Sequence, residues 1–174
     1  GRHIVISGLG QVGGRLATKL AAAGARLSVT DVNLAKKDFA ASLGAAWVDV
    51  AEAHTLEADL FVPCGLGGVL TPRVIDELRV PAVVGAANNQ LAQHEGAAQL
   101  AARGILWAPD FVVNAGGVIY LDMATRPNAD FAAIEARVST IGDTITTIFA
   151  DAKAMGITTL DAAEQLAMAR LNAA

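Results

Sequence analysis

Short apolar runs alternate along the chain with stretches in which apolar residues recur every three or four positions. The runs predict buried parallel strands, and the longer stretches predict helices. Six strands are expected, at residues 4–6, 27–30, 46–48, 59–63, 81–84 and 105–108. Strands that alternate with helices throughout a chain favour a parallel sheet. The pattern therefore predicts an α/β fold of the Rossmann type, with a doubly wound, mostly parallel sheet, helices on both faces and a helical C-terminal extension.

Capping signals give the expected ends of the helices. Asn33 is a good N-cap for a helix that runs to about residue 43, and Thr71 with Pro72 begins another. A further helix is predicted from just after residue 89 to about residue 103. Apolar residues at intervals of three and four from residue 131 to 148 predict one broad apolar helical face. Thr158 and Asp161 fit a capping box for a last helix to about residue 171.

A glycine motif lies between the first strand and the first helix. Gly8, Gly10 and Gly13, with Gln11 and Val12 between them, fit the pattern G-x-G-x-x-G. The first glycine permits a tight turn, the second lets a pyrophosphate approach the backbone, and the third lets the helix pack closely on the strand. The start of the helix offers free N–H groups to phosphates. Strand, glycines and helix in this order predict a dinucleotide-binding turn.

An acid follows the second strand at the spacing that such a site requires. Asp31 lies about 20 residues beyond the glycine motif, where a carboxylate can accept both hydroxyls of an adenine ribose and repel a 2′-phosphate. Val32 follows it, and no arginine is adjacent to bind NADP. We therefore expect NAD as the cofactor. The alternative is a glycine-rich turn that binds nothing, with Asp31 as a solvated acid.

Composition narrows the function classes. The chain has 174 residues, of which 53% are hydrophobic and 17% charged, with a formal net charge of −4. This composition predicts a folded domain with neither the basic surface that nucleic acids and anionic membranes bind nor an apolar run that spans a bilayer. No signal peptide or metal-ligand cluster is apparent. A single cysteine, Cys64, is consistent with a cytoplasmic location.

The strand ends predict where the chemistry gathers, because ligands of such sheets bind beyond the carboxyl ends of the strands. Five segments are expected on that rim, namely residues 8–13, Asp31, residues 64–68, residues 85–89 and residues 114–117. Most of them combine small residues with a polar or glycine-rich turn. A flat cofactor that lies across the rim requires such segments.

Three of the later segments carry long motifs. They are Pro-Cys-Gly-Leu-Gly-Gly at 63–68, Val-Gly-Ala-Ala-Asn-Asn-Gln-Leu at 84–91 and Ala-Pro-Asp-Phe-Val-Val-Asn-Ala-Gly-Gly at 108–117. With them, essentially the whole chain resembles the cofactor domain of the leucine, phenylalanine and valine dehydrogenases, in the glutamate dehydrogenase superfamily. The resemblance implies NAD-dependent oxidation of an L-amino acid, with water, to a 2-oxo acid and ammonium.

The resemblance also implies roles for individual residues. It places the glycine turn on the pyrophosphate, Asp31 on the adenine ribose, and Asn114 near the nicotinamide carboxamide. It places Cys64 and Gly65 beside the adenosine. It places Ala86, Ala87 and Asn88 along the nicotinamide ribose. Family members commonly have alanine where this chain has Gly65. An alternative for Asn88, Asn89 and Asn114 is that they only cap the helices that follow. Cys64 is expected to be inert.

The family's catalytic lysines and aspartate have no counterpart in the sequence. We therefore expect residues 1–174 to be the NAD-binding domain alone, without catalytic or metal-binding residues and without turnover. The amino-acid or 2-oxo-acid substrate would bind through an amino-terminal domain absent from this chain, in a homo-oligomeric full-length enzyme. One alternative is an NAD(H)-sensing regulatory domain of a potassium channel or transporter, and another is a dehydrogenase of a different Rossmann family.

Overall fold

In the computed structural model, which describes residues 1–173, six strands form one parallel sheet. The strands are β1 (His3–Ser7), β2 (Arg26–Thr30), β3 (Ala46–Trp47), β4 (Leu60–Pro63), β5 (Ala82–Val83) and β6 (Leu106–Trp107). They pair in the order β3-β2-β1-β4-β5-β6, and every pair is parallel. The strand order reverses between β1 and β4, which creates a switch point where ligands of such sheets bind. The predicted Rossmann-type fold is confirmed.

Helices fill the connections between the strands and continue beyond the last of them. They are α1 (Gln11–Ala22), α2 (Lys37–Ser42), α3 (Pro72–Glu77), α4 (Gly96–Ala102), α5 (Asp110–Val113), α6 (Gly116–Ala124), α7 (Phe131–Ser139), α8 (Ile141–Met155) and α9 (Thr159–Asn172), with short 3-10 turns at Leu34–Lys36 and Ala53–Thr55. The predicted capping box is present, because Thr158 Oγ1 accepts from the Asp161 backbone and Asp161 reaches back to Thr158.

The chain divides into two compact units. The first, Gly1–Trp107, contains the sheet, and the second begins at Ala108 and contains helices α5 to α9. In the first unit, β1 and β2 bury Ile4, Ile6, Leu27 and Val29 against α1 and α2. In the second unit, α8 and α9 bury a cluster of Ile148, Ala152, Ala162 and Ala163. These apolar clusters follow the strand and helix periods of the sequence.

The helix predicted from residue 90 begins later, at Gly96. Asn89 adopts a left-handed conformation, with φ of 51°. Leu91 then pairs with Leu70 in a parallel bridge, and Gln90 is fully buried. The extended pairing of Leu91 satisfies backbone groups that a helix would otherwise use, so the helix begins only after it.

The single apolar face predicted for residues 131–148 was wrong. The segment forms two helices, α7 and α8, which meet at Thr140. The Thr140 backbone nitrogen donates to the Arg137 carbonyl only three residues back, so α7 closes with a tightened turn of the 3-10 type before α8 begins. Of the apolar positions in this period, Ile134 and Ile148 are buried, whereas Phe131 is 66% exposed. The predicted helix over 33–43 is likewise divided into the turn Leu34–Lys36 and α2.

Candidate functional site

The first glycine of the motif makes a turn that other residues cannot make. Gly8 has φ of 106°, a conformation that L residues rarely adopt. A Cβ built on Gly8 would lie 2.6 Å from the backbone nitrogen of Gly65. The turn after β1 therefore packs directly on the loop after β4, as the strand order at the switch point requires.

The other two glycines of the motif differ from each other. A Cβ on Gly13 would lie 2.0 Å from the Gly8 carbonyl oxygen, so α1 approaches the turn as closely as backbone allows. A Cβ on Gly10 would meet nothing within 4 Å. Gly10 is also the N-cap of α1, without a side-chain capping bond, and the first turn, which includes the exposed Gln11 and Val12, contains no acid. The space above Gly10 and the N-terminus of α1 are therefore open to an anion.

Asp31 faces the glycine turn. Its Oδ2 accepts a hydrogen bond from the Leu9 backbone N–H at 2.6 Å, and its Oδ1 accepts one from the Asn33 backbone at 2.8 Å. The carboxylate is half-buried at the end of β2, where Val32 beside it is exposed. These two hydrogen bonds fix the carboxylate at the edge of the groove and leave further lone pairs for a ligand.

A cavity of about 330 Å³ opens beside Asp31 in the first unit. It has a largely apolar wall with two highly exposed side chains, Val32 at 86% and Leu66 at 90%. The apolar wall residues are Val32, Val50, Pro63, Leu66 and Val69, and Ser7, Thr30 and Asp31 also line the cavity. Apolar walls with a few polar groups are typical of pockets that take flat organic ligands.

Cys64 packs against the glycine turn. Its backbone nitrogen donates to the Ser7 carbonyl at 2.7 Å, and its Cβ would be 2.9 Å from a Cβ on Gly13. Burial raises the pKa of the Cys64 thiol, and a hydrogen bond from the Ala86 backbone lowers it in part. A raised pKa keeps the thiol neutral, which is the opposite of what a nucleophilic cysteine needs.

The loop after β5 packs against the loop after β4. The Ala87 backbone nitrogen donates to the Pro63 carbonyl at 3.0 Å. A Cβ on Gly67 would lie 2.5 Å from the Asn88 carbonyl oxygen, so these backbones nearly touch. The Ala86 backbone also makes a hydrogen bond to Cys64, in the loop after β4. The structure thus brings together the predicted residues of the glycine turn, Asp31 and both later loops of the first unit.

Gln90 has a role that the sequence prediction missed. This fully buried side chain donates from Nε2 to the carbonyls of Gly85 at 2.7 Å and Ala87 at 3.1 Å. Its Oε1 accepts from the Trp107 indole at 3.1 Å. The available signal was a third consecutive amide side chain, directly after two asparagines.

Asn114 belongs to the second unit, where it follows α5 and its backbone nitrogen donates to the Asp110 carbonyl at 2.8 Å. The capping alternative for the asparagines is wrong for the helices that follow them. The N-cap of α4 is Glu95, and that of α6 is Ala115.

Residues 1–173 contain no group of three or more histidine, cysteine, aspartate or glutamate residues placed to hold a metal ion. None of the helices in the same range is both long and apolar enough to cross a bilayer.

The strand order and the glycine turn define the class of protein, a Rossmann-type α/β fold with its turn at the switch point. Comparison with known families identifies the family within this fold class. The model of the Glutamate/Leucine/Phenylalanine/Valine dehydrogenase family matches residues 28–174, and the chain belongs to this family.

Individual relatives agree with that assignment. The chain is 39% identical to a phenylalanine dehydrogenase of Bacillus thermotolerans, over 97% of this chain and 45% of the relative. It is 42% identical to a valine dehydrogenase of Streptomyces albus, over 98% of this chain and 48% of the relative. The crystal structure of L-tryptophan dehydrogenase from Nostoc punctiforme superposes with a TM-score of 0.93 at 38% identity, over 100% of this chain and 53% of that one. The chain therefore spans about half the length of the curated relatives it matches.

Proposed function

We propose that residues 1–174 are the NAD-binding domain, C-terminal helices included, of an amino-acid dehydrogenase. The full-length enzyme would oxidise a branched-chain or aromatic L-amino acid with NAD⁺ and water to the 2-oxo acid, ammonium and NADH. Relatives named phenylalanine, tryptophan and valine dehydrogenases support this class of substrate. The three relatives reported above are all dehydrogenases, so a regulatory module gains no support from them.

The observation that carries the proposal is the position of the Asp31 carboxylate beside the glycine turn. A hydrogen bond of 2.6 Å to Leu9 holds it there. In this position the carboxylate would accept the ribose hydroxyls of adenosine while the pyrophosphate crosses Gly10 and the start of α1. A negative charge at the same place disfavours the 2′-phosphate of NADP, which supports NAD as the preferred cofactor.

The remaining residues would hold the two ends of the cofactor. We assign the adenine to the apolar cavity beside Asp31, next to Val32 and the loop of Cys64 and Gly65. The turn residues Gly8, Gln11, Val12 and Gly13 would complete the phosphate site. On the other half of the cofactor, we assign Ala86, Ala87 and Asn88 to the nicotinamide ribose and Asn114 to the carboxamide, which an amide can both donate to and accept from.

When bound, NAD⁺ supplies the hydride acceptor. The residues assigned above bind and orient it, and none of them is a general acid or base suited to the amino-acid carbon. We therefore assign that chemistry, and the substrate site, to the part of the relatives that this chain does not span. We also propose a cytoplasmic, homo-oligomeric full-length enzyme. The glutamate dehydrogenase of Thermus thermophilus, which matches with a TM-score of 0.76, is named as a hetero-hexamer. This supports an oligomeric enzyme.

Calorimetric titration of the 174-residue chain tests the binding half of the proposal. We expect NAD⁺ to bind more tightly than NADP⁺, and a folded chain that binds neither nucleotide would refute the assignment. The full-length protein, assayed for NADH formation with leucine, phenylalanine, valine and glutamate side by side, tests the substrate class. Reduction of NAD⁺ with glutamate alone would contradict it.

A further inference from the structure

The buried side chain of Gln90 contacts the backbone of the loop that carries Ala86, Ala87 and Asn88. Gln90 makes three hydrogen bonds through its amide, to Gly85, Ala87 and Trp107, and no part of it is exposed to solvent. Two of these bonds end on carbonyl groups of the loop itself. The third ends on the indole of the last residue of β6. The amide therefore ties the loop after β5 to the neighbouring strand.

We propose that Gln90 is a positioning residue for the nicotinamide half of the cofactor, a role that rests on the function proposed above. Its amide fixes the carbonyls of Gly85 and Ala87 and thereby sets the direction in which the backbone between them, and Asn88 beyond, faces the groove. Gln90 itself, being buried, does not touch the ligand. It acts through the backbone that does.

The chemistry of the site requires an amide. Two loop carbonyls need donors, and the Trp107 N–H needs an acceptor, so one side chain must offer both. A carboxylate at this position would repel both carbonyls, and an apolar side chain would remove all three hydrogen bonds that the amide makes. The adenosine side is held differently, by Asp31 on Leu9 and by Gly8 on Gly65. Loss of the amide should therefore affect the two halves of the cofactor unequally.

The substitution Gln90→Met keeps the length of the side chain and removes its hydrogen bonds. We expect the affinity of the chain for NAD⁺ to fall about tenfold, while its affinity for ADP, which lacks the nicotinamide riboside, changes by less than about twofold. Gln99→Met is the matched control, because Gln99 Nε2 also donates twice, to Pro72 and Asp76, but holds α4 to α3 rather than the loop. The control should leave both affinities unchanged.

The indole of Trp107 gives a readout that general destabilisation does not imitate. The chain has only two tryptophans, so its two indole N–H resonances can be assigned with Trp47→Phe and Trp107→Phe. We expect NAD⁺ to shift the Trp107 resonance in the unsubstituted chain and ADP to leave it in place. In the Gln90→Met variant, this resonance should lose the shift that its hydrogen bond to Gln90 causes and should no longer respond to NAD⁺.

Each outcome of these measurements decides the inference. Equal losses of NAD⁺ and ADP affinity would reduce Gln90 to a structural residue and overturn it, as would unchanged NAD⁺ affinity or a Trp107 resonance that ADP shifts as much as NAD⁺ does. If the unsubstituted chain and the Gln90→Met variant bind ADP and NAD⁺ equally well, only the role of Gln90 is rejected. Failure of the unsubstituted chain to bind either nucleotide rejects the proposed function itself.

Discussion

The carboxylate of Asp31 and the backbone nitrogen of Leu9 are joined by a hydrogen bond of 2.6 Å, although 22 positions separate them in the chain. This bond connects the end of β2 to the middle of the glycine motif. It means that the acid proposed to bind ribose also supports the turn proposed to bind pyrophosphate. Substitution of Asp31 should therefore affect both stability and nucleotide preference.

We expect Asp31→Asn to lower the affinity for NAD⁺ by about tenfold or more, because hydrogen bonds to a charged acceptor contribute about 1.5–3 kcal/mol. Affinity for NADP⁺ should fall less or rise, since the charge that repels its 2′-phosphate is gone. Calorimetric titration with both nucleotides measures the ratio. Asp38→Asn, which removes an exposed charge in the first turn of α2, serves as the control. An unaltered ratio in Asp31→Asn would argue against the ribose contact.

Alanine should lower stability at Gly13 and nucleotide affinity at Gly10. In Gly13→Ala the new Cβ meets the Gly8 carbonyl oxygen at 2.0 Å, so we expect the free energy of unfolding to fall by about 3 kcal/mol. Gly10→Ala meets open space, so its stability should change by less than about 1 kcal/mol. Its NAD⁺ affinity should nonetheless fall at least about tenfold, because the methyl group occupies the proposed path of the pyrophosphate. Urea unfolding and titration together distinguish the two effects.

The hydroxyl of Thr30 is buried and has no hydrogen-bond partner within residues 1–173. A buried polar group in this state costs about 1–3 kcal/mol. We therefore expect Thr30→Val, which keeps the shape, to raise the free energy of unfolding of the ligand-free chain by about 1 kcal/mol. Ser28→Ala on the same strand should lower it, because the Ser28 hydroxyl is bonded to His3 at 2.9 Å. Destabilisation by both substitutions would show that Thr30 is hydrogen-bonded in solution.

The thiol of Cys64 should be slow to react. Burial raises its pKa in the folded chain above that of the unfolded chain, so the reactive thiolate forms only at higher pH. We expect alkylation by iodoacetamide at pH 8 to be at least about tenfold slower in the folded chain than in urea.

The same shift gives a pH dependence of stability. A pKa that is raised on folding contributes stability below the unfolded value, about pH 8.5, which is lost as the pH rises further. The unsubstituted chain should therefore lose more thermal stability than Cys64→Ala between pH 8 and pH 10. Identical slopes for the two chains would show that the thiol is as accessible to water as in a peptide.

Local rules made part of this structure predictable. The glycine turn and the capping box at Thr158 follow from residues close together in sequence, and the acid after β2 follows from its spacing to the glycine motif. All three are present. Each also satisfies a backbone requirement that only a few residue types can meet. Glycine at a positive φ and an acid at the end of a strand are examples of such requirements.

Contacts between distant segments were not predictable in the same way. The late start of α4 depends on the pairing of Leu91 with Leu70, and the role of Gln90 depends on Trp107 from the next strand. The break at Thr140 reflects a tightened turn, in which its backbone nitrogen bonds to Arg137 three residues back, within a helical period that is favourable on both sides. Periodicity indicates which residues prefer burial. It gives no information about the contacts with distant residues that decide where a helix or strand ends.

The contrast between Gly10 and Gly13 also bears on how such a domain would change over evolutionary time. The backbone that crowds Gly13 would disfavour any larger residue there for as long as the domain folds. Selection on Gly10 would come from the nucleotide alone. In a lineage that lost cofactor binding, position 10 should drift to larger residues while position 13 stays glycine. The residues at these two positions would therefore distinguish domains that bind nucleotide from domains that no longer do.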